Sequence, residues 1–298
     1  MNNLKSLLGP MRLPFLTLPP VCVLLGVAVA VWTQGQVNGW YIALALLGAI
    51  TSHISVNAFN EYFDFTSGLD AKTHKTPFSG GSGTLQSQPH AARAALLTAS
   101  AALALTALIG VYFLAVRGWG LLPIGLLGLV IIYTYTPWIT RNPWLCLIAP
   151  GLGFGTLWVL GTYFVLSGEY SWPALLVSFV PFFLVNDLLL LNQFPDVEAD
   201  KSIGRRHFPI VIGRKASSTL YGVFLLLSYL PLIIGAALKL LPIAPAVLGL
   251  LCLPIAIRAY RGARHFADDI PQLIPFMGMN VILNLIMPIL VAIGLFIA

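Results

Sequence analysis

Seven of the ten carboxylates in this 298-residue chain fall in two short polar segments or just ahead of the second one. The first segment reads Asn60-Glu61-Tyr62-Phe63-Asp64, with Asp70 beyond it. The second reads Asn192-Gln193-Phe194-Pro195-Asp196-Val197-Glu198-Ala199-Asp200, with Asp187 upstream. Charged residues make up only 9% of the chain, so acids crowded this densely need cations between them. At about 100° per residue, positions four apart share one helical stripe. Asn192, Asp196 and Asp200 are so related, and His53, Asn57, Asn60 and Asp64 line a second stripe. Carboxylates and amide oxygens suit hard cations such as Mg2+, which takes one or two carboxylates, waters and substrate phosphate oxygens. Asn60, Asp64, Asp70, Asn192, Asp196 and Asp200 are therefore the candidate metal ligands. One cluster alone would pass for a solvated helix end. Two, matched in spacing and position, point to a shared diphosphate site.

Basic residues follow each cluster: Lys72 and Lys75 after the first, Lys201, Arg205 and Arg206 after the second. Lys and Arg can bind the remaining diphosphate oxygens and neutralise charge that grows as the group leaves. Lys201, Arg205 and Arg206 are the best placed, because they abut carboxylates; Arg141 and Asn57 are further candidate substrate contacts. The turn Pro77-Phe78-Ser79-Gly80-Gly81-Ser82-Gly83 can cradle phosphate with its backbone. Tyr133 and Tyr135 could face a carbocation through their rings. Asp187 is the one acid set deep in an apolar run, and an intramembrane carboxylate is a functional candidate by default. It sits on the far side of the helix from Asp196, so a partner such as Asn186 is expected instead. Asn280 and Asn284 read as helix-packing residues. His74 and His207 lie near the clusters, but neither has a second His at ligand spacing. Cys22, Cys146 and Cys252 read as small buried hydrophobes.

The elements that must hold these groups are transmembrane helices. Hydrophobic residues make up 58% of the chain, and a helical span needs about 20 mostly apolar residues. Nine such runs can be drawn, at 13–33, 40–60, 94–116, 119–137, 144–167, 173–193, 216–238, 241–257 and 275–298. Backbone in lipid must satisfy its own hydrogen bonds, so the expected fold is all-α: one membrane bundle over residues 1–298. With the N-terminus in the cytoplasm, 14 of the 16 Lys and Arg fall on that side, leaving Arg117 and Lys239 opposite, as the positive-inside bias requires. The net charge of +6 is thus a mark of topology, and no basic stripe for nucleic acid is present. The inner segments 61–93 and 194–215 are long and polar and are expected to cap the site. Each cluster follows an even-numbered span, the second and the sixth, which hints at two four-helix pseudo-repeats plus one helix. The first run is long enough to span and lacks a small-residue cleavage site, so it reads as a retained helix rather than a signal peptide. A transporter would place its polar groups near the midplane on broken helices; here they gather at one interface.

The motifs Asn60-x-x-x-Asp64 with Gly68-Leu69-Asp70, and Asn192-x-x-x-Asp196-x-x-x-Asp200, resemble the two signatures of the UbiA superfamily of membrane aromatic prenyltransferases. Nine helices, motifs after spans two and six, and long inner loops extend the resemblance over nearly the whole chain. Asn60–Asp70 and Gly161–Gly168 look most like the menaquinone-pathway branch, which prenylates 1,4-dihydroxy-2-naphthoate, with the superfamily's other acceptors (4-hydroxybenzoate, homogentisate, chlorophyllide, haem or a lipid alcohol) as the alternative. The chain departs from the pattern at Glu61, at Phe154 (Glu in many quinone-pathway members) and at Pro137 (Lys in 4-hydroxybenzoate enzymes). The resemblance implies that Asp64, Asp70, Asp196 and Asp200 hold Mg2+ against a polyprenyl diphosphate. Asn60 and Asn192 would orient them, and Lys201 would join the catalytic set. An aromatic acceptor would then attack the allylic cation, at the cytoplasmic face of a prokaryotic cell membrane.

Overall fold

The computed structural model describes residues 8–298 apart from Asp70 and His74. Among the described residues there are helices and turns but no strands. Seven helices are long and apolar enough to cross a membrane: α1 (Leu13–Gln34), α2 (Gly39–Thr66), α3 (Pro89–Arg117), α5 (Pro143–Ser167), α6 (Trp172–Asn192), α7 (Arg214–Ala237) and α9 (Ile270–Phe296). The other two expected runs take different forms. Helix α4 (Trp119–Thr134) is shorter, and α8 is a pair, Ile243–Leu250 and Leu253–His265, bent by 46°. Leu251 and Cys252 form the break, and Pro254 opens the second half, where its missing N–H costs no bond.

The helix starts follow from local chemistry. Asn38 accepts from the Trp40 and Tyr41 amides, Asn142 from those of Trp144 and Leu145, Ser171 from that of Ala174, and Asp269 from that of Gln272. Each satisfies an N–H that the first helical turn leaves without a partner. Trp40, Trp119 and Trp172, at the starts of α2, α4 and α6, are all exposed, as rings in the headgroup layer are.

Helices α1 and α6 are the most buried and carry the central core, in which Leu25, Val29, Leu184 and Val185 meet Leu283 and Met287 of α9. Helix α3 is peripheral and exposes an apolar surface that suits lipid. Helix α5 holds the main irregularity. After Pro150 it widens into a π-helical stretch, Gly151–Leu157, before resuming α geometry at Trp158. Gly151 and Gly155 allow α6 to approach: an added Cβ would lie 2.1 Å from the Phe182 carbonyl oxygen and 2.3 Å from its nitrogen, respectively.

Two sequence expectations are corrected. The polar segment drawn from residue 61 begins later, because α2 continues through Thr66 and carries Glu61 and Asp64 on the helix itself. The stripe of Asn192, Asp196 and Asp200 is not one helix: α6 ends at Asn192, and Asp200 lies on a new turn of helix, Val197–Ser202. Pro195 has no N–H for the helix ladder, which explains the break.

Candidate active site

The end of α2 and the segment after α6 converge on one cavity of about 730 Å³. Asn57, Asn60, Asp64, Asn192, Asp196, Asp200, Arg205 and Tyr135 all line it. Its polar mouth gives way to apolar walls from α3, α4 and α5, including Ile109, Leu129, Ile132 and Leu157. Eight of the sequence-derived candidates are therefore brought together by the fold.

Arg205 joins the two clusters. Its guanidinium donates to Asp64 through Nη2 and to Asp200 Oδ1 through Nη1, the latter at 2.8 Å. The other Asp200 oxygen, Oδ2, accepts from His207 Nε2 at 2.9 Å. Burial works against the charged form of Asp200, but the His207 hydrogen bond and the Arg205 charge outweigh it, and the carboxyl is held below its ordinary range. Burial also opposes the charge on Arg205, yet Asp64 and Asp200 together raise its affinity for the proton. Asp196 is the contrasting member of the set. Burial, with Asp200 as a like-charged neighbour, pushes its carboxyl up to about 7.

The donor set suits a hard divalent cation. Asp196 Oδ1 and Asn192 Oδ1 are buried without hydrogen-bond partners, and a buried acceptor left unpaired is costly unless something else ligates it. With Asp64 and Asp200 they form an oxygen-only set, the chemistry Mg2+ prefers. Among the described residues, no three acidic, His or Cys side chains already close around a point. Arg205 occupies the space between Asp64 and Asp200. Asp70, a proposed ligand, lies outside the described residues.

Glu61 has a different task from the acids around it. Its Oε1 accepts from Arg12 Nε at 2.8 Å and from the Ser82 amide at 2.6 Å, while Oε2 accepts from the Ser82 hydroxyl at 2.7 Å. The buried carboxylate therefore ties the segment before α1 and the Gly/Ser turn to α2. Arg12 reaches on to Asn60 Oδ1 at 3.0 Å, and Asn60 donates to Thr136 at 3.2 Å. Arg12 itself lines the cavity.

Six other candidates do not line it. Lys72 donates to Ser202 at 3.2 Å and so links the two inner segments; Lys75 bonds the Ser82 carbonyl. Lys201, Arg141 and the Arg206 side chain are exposed. Tyr133 packs outside the cavity, edge-on to Phe59 with ring centres 5.5 Å apart. Asp187 lacks the partner expected for it. Both of its oxygens are buried and unpaired among the described residues, and so is the Asn186 Nδ2 donor, while Asn186 Oδ1 accepts from the Gly151 amide at 2.6 Å. Asn280 connects helices by accepting from Tyr221 at 3.3 Å, whereas Asn284 donates to the Asn280 carbonyl of its own helix at 2.9 Å and lines the cavity. Two site residues escaped the sequence reading. Arg12 enters the sequence reading only as one of the 14 inner-side basic residues, and His207, unpaired with any second His, supports Asp200 rather than a metal. No spacing rule links Arg12 to an acid 49 positions away.

Comparison with known proteins agrees with this geometry. The model of the UbiA prenyltransferase family matches residues 19–282. The 1,4-dihydroxy-2-naphthoate octaprenyltransferase of Bacillus subtilis is 31% identical over 218 residues, covering 72% of this chain and 68% of the relative. The 2-carboxy-1,4-naphthoquinone phytyltransferase of a Synechocystis species is 24% identical over 277 residues, covering 90% and 85%. Among solved structures, a UbiA homologue from Aeropyrum pernix superposes with a TM-score of 0.71 at 18% identity, over 96% of this chain and 98% of that one. A UbiA homologue from Archaeoglobus fulgidus, bound to DMAPP and Mg2+, gives 0.63 at 18% identity, over 95% and 98%.

Proposed function

The chain belongs to the UbiA prenyltransferase family and is an aromatic prenyltransferase of the membrane; from that premise we propose that it uses Mg2+ to transfer a polyprenyl group from an allylic diphosphate to 1,4-dihydroxy-2-naphthoate. The observation that carries the reading is the meeting of Asp64 with the Asp196–Arg205 segment at the polar mouth of an otherwise apolar cavity. The acceptor is suggested by the Bacillus subtilis relative.

Asp64, Asp196, Asp200 and Asn192, with Asp70 of the same motif, would supply oxygens for the metal. Held by these residues, Mg2+ would supply charge neutralisation for the leaving diphosphate. His207 holds Asp200 ionised and oriented. Arg12 and Arg205 line the same mouth and offer fork-like donors to the remaining diphosphate oxygens. The isoprenoid tail lies along the apolar walls, where each buried methylene contributes about 0.8 kcal/mol. Those walls keep water from an allylic cation, so that the aromatic carbon captures it instead. Loss of a proton or, for the naphthoate, of the carboxylate then restores the ring. The distribution of Lys and Arg supports nine crossings, a cytoplasmic N-terminus and a site on the cytoplasmic face.

The test is incubation of purified protein in detergent with Mg2+, prenyl diphosphates of several lengths and a panel of aromatic acceptors, with products read by mass spectrometry. A prenylated naphthol lacking the carboxylate is expected. Transfer to 4-hydroxybenzoate in preference to the naphthoate overturns the acceptor, and no transfer to any ring overturns the reading.

A further inference from the structure

Beneath the polar mouth the cavity contains a second group of polar and aromatic side chains, and diphosphate chemistry does not account for it. His53 lies on the cavity-facing stripe of α2, eleven residues before Asp64, so about 16 Å deeper along the helix at 1.5 Å per residue. It is buried, and its Nδ1 has no hydrogen-bond partner. Its ring is flanked by two aromatic rings of α5: Phe154, edge-on with centres 4.8 Å apart, and Trp158 at 5.9 Å. Trp158 is fixed in turn, because its indole Nε1 donates to Ser52 at 3.2 Å.

The backbone of α5 produces this arrangement. Phe154 and Trp158 straddle the end of the π-helical stretch, whose wider turn changes which side chains face α2. Such stretches are rare and often found at functional sites. An isoprenoid tail has no polar atom and needs none from the wall. An imidazole placed among aromatic rings in an apolar cavity is costly unless a ligand completes its hydrogen bonds.

We propose that His53, Phe154 and Trp158 form the acceptor subsite: the hydroxylated aromatic ring packs against Phe154 and Trp158, and its hydroxyl hydrogen-bonds the imidazole of His53. The assignment rests on the prenyl-transfer reading above. It places the acceptor below the diphosphate, so that the reacting carbon lies between the metal ligands and His53. His53 is then a specificity residue for hydroxylated rings, and the diphosphate makes no contact with it.

The experiment compares wild-type, His53→Leu and His53→Gln proteins with the naphthoate acceptor and a prenyl diphosphate, measuring KM for each substrate. The expected result for H53L is an acceptor KM raised roughly tenfold or more, with the diphosphate KM unchanged. H53Q, which keeps a hydrogen-bonding group, recovers part of the loss. An unchanged acceptor KM in H53L, or an effect confined to the diphosphate, overturns the subsite while wild-type turnover still supports the prenyltransferase. Absence of transfer in the wild type overturns both. A photoreactive hydroxylated naphthalene applied to the wild type decides the matter without any variant. Labelling within residues 49–57 or 151–158 supports the subsite, and labelling only elsewhere removes it.

Discussion

Arg205 donates a hydrogen bond to Asp64 across 141 positions of sequence. With its second nitrogen on Asp200, it clamps together two acids whose repulsion would otherwise open the mouth of the cavity. The guanidinium thus stands where a divalent cation would share the same carboxylates. On the proposed function, arrival of metal and diphosphate would give the carboxylates a new cation and the guanidinium a new anion.

Arg205→Leu should lower the unfolding temperature of metal-free protein in detergent. Removing one partner of a buried charge cluster costs about 3–5 kcal/mol. Mg2+ should restore more stability to R205L than to wild type, because it replaces the lost charge. Equal unfolding temperatures in EDTA would show that the clamp contributes nothing.

Asp64→Ala and Asp196→Ala should each reduce prenyl transfer by about a hundredfold or more, with each variant still eluting as a folded protein. EDTA should stop the wild-type reaction and added Mg2+ restore it. Full turnover in chelator, or normal activity in either variant, removes the metal or that residue from the account.

Asp196 ties metal affinity to pH. Burial and then Asp200 push its carboxyl up to about 7, so in metal-free protein it is protonated below that pH and ionised above it. A cation needs the ionised form, and its binding releases the proton. Apparent Mg2+ affinity should therefore be constant well above pH 7 and fall by up to about tenfold per unit below it. Calorimetric titration of wild type and Asp196→Asn across pH 6–8 checks this. A flat wild-type profile, or an equally steep one in D196N, assigns the proton elsewhere.

Glu61 separates positioning from ligation. Glu61→Gln should leave Mg2+ affinity within about twofold of wild type, whereas Asp64→Asn should weaken it by well over tenfold. The same E61Q change should speed proteolytic cleavage within residues 76–83, because the Ser82 anchor is weakened. A large loss of metal affinity in E61Q would make Glu61 a ligand after all.

The apolar runs alone determine that this chain forms helices in a membrane, since lipid leaves backbone polar groups no other partner. Most boundaries agree with the expected ones within a few residues. The largest deviations, such as the bent α8 and the longer α2, occur where proline or a polar helix end makes hydropathy a poor guide. The acidic motifs were legible for a related reason: charge is so scarce in this sequence that a cluster of it must serve some chemistry. What hydropathy and spacing could not supply is which charges meet. Arg205 and Arg206 are neighbours of the same type, yet only Arg205 turns inward to Asp64. Tyr133 and Tyr135 are two residues apart on a helix end, so they point in different directions, and only Tyr135 reaches the cavity. His53, Phe154 and Trp158 come together because a glycine-permitted π-helical turn in α5 packs against α6, a contact between distant segments that local sequence cannot encode by itself.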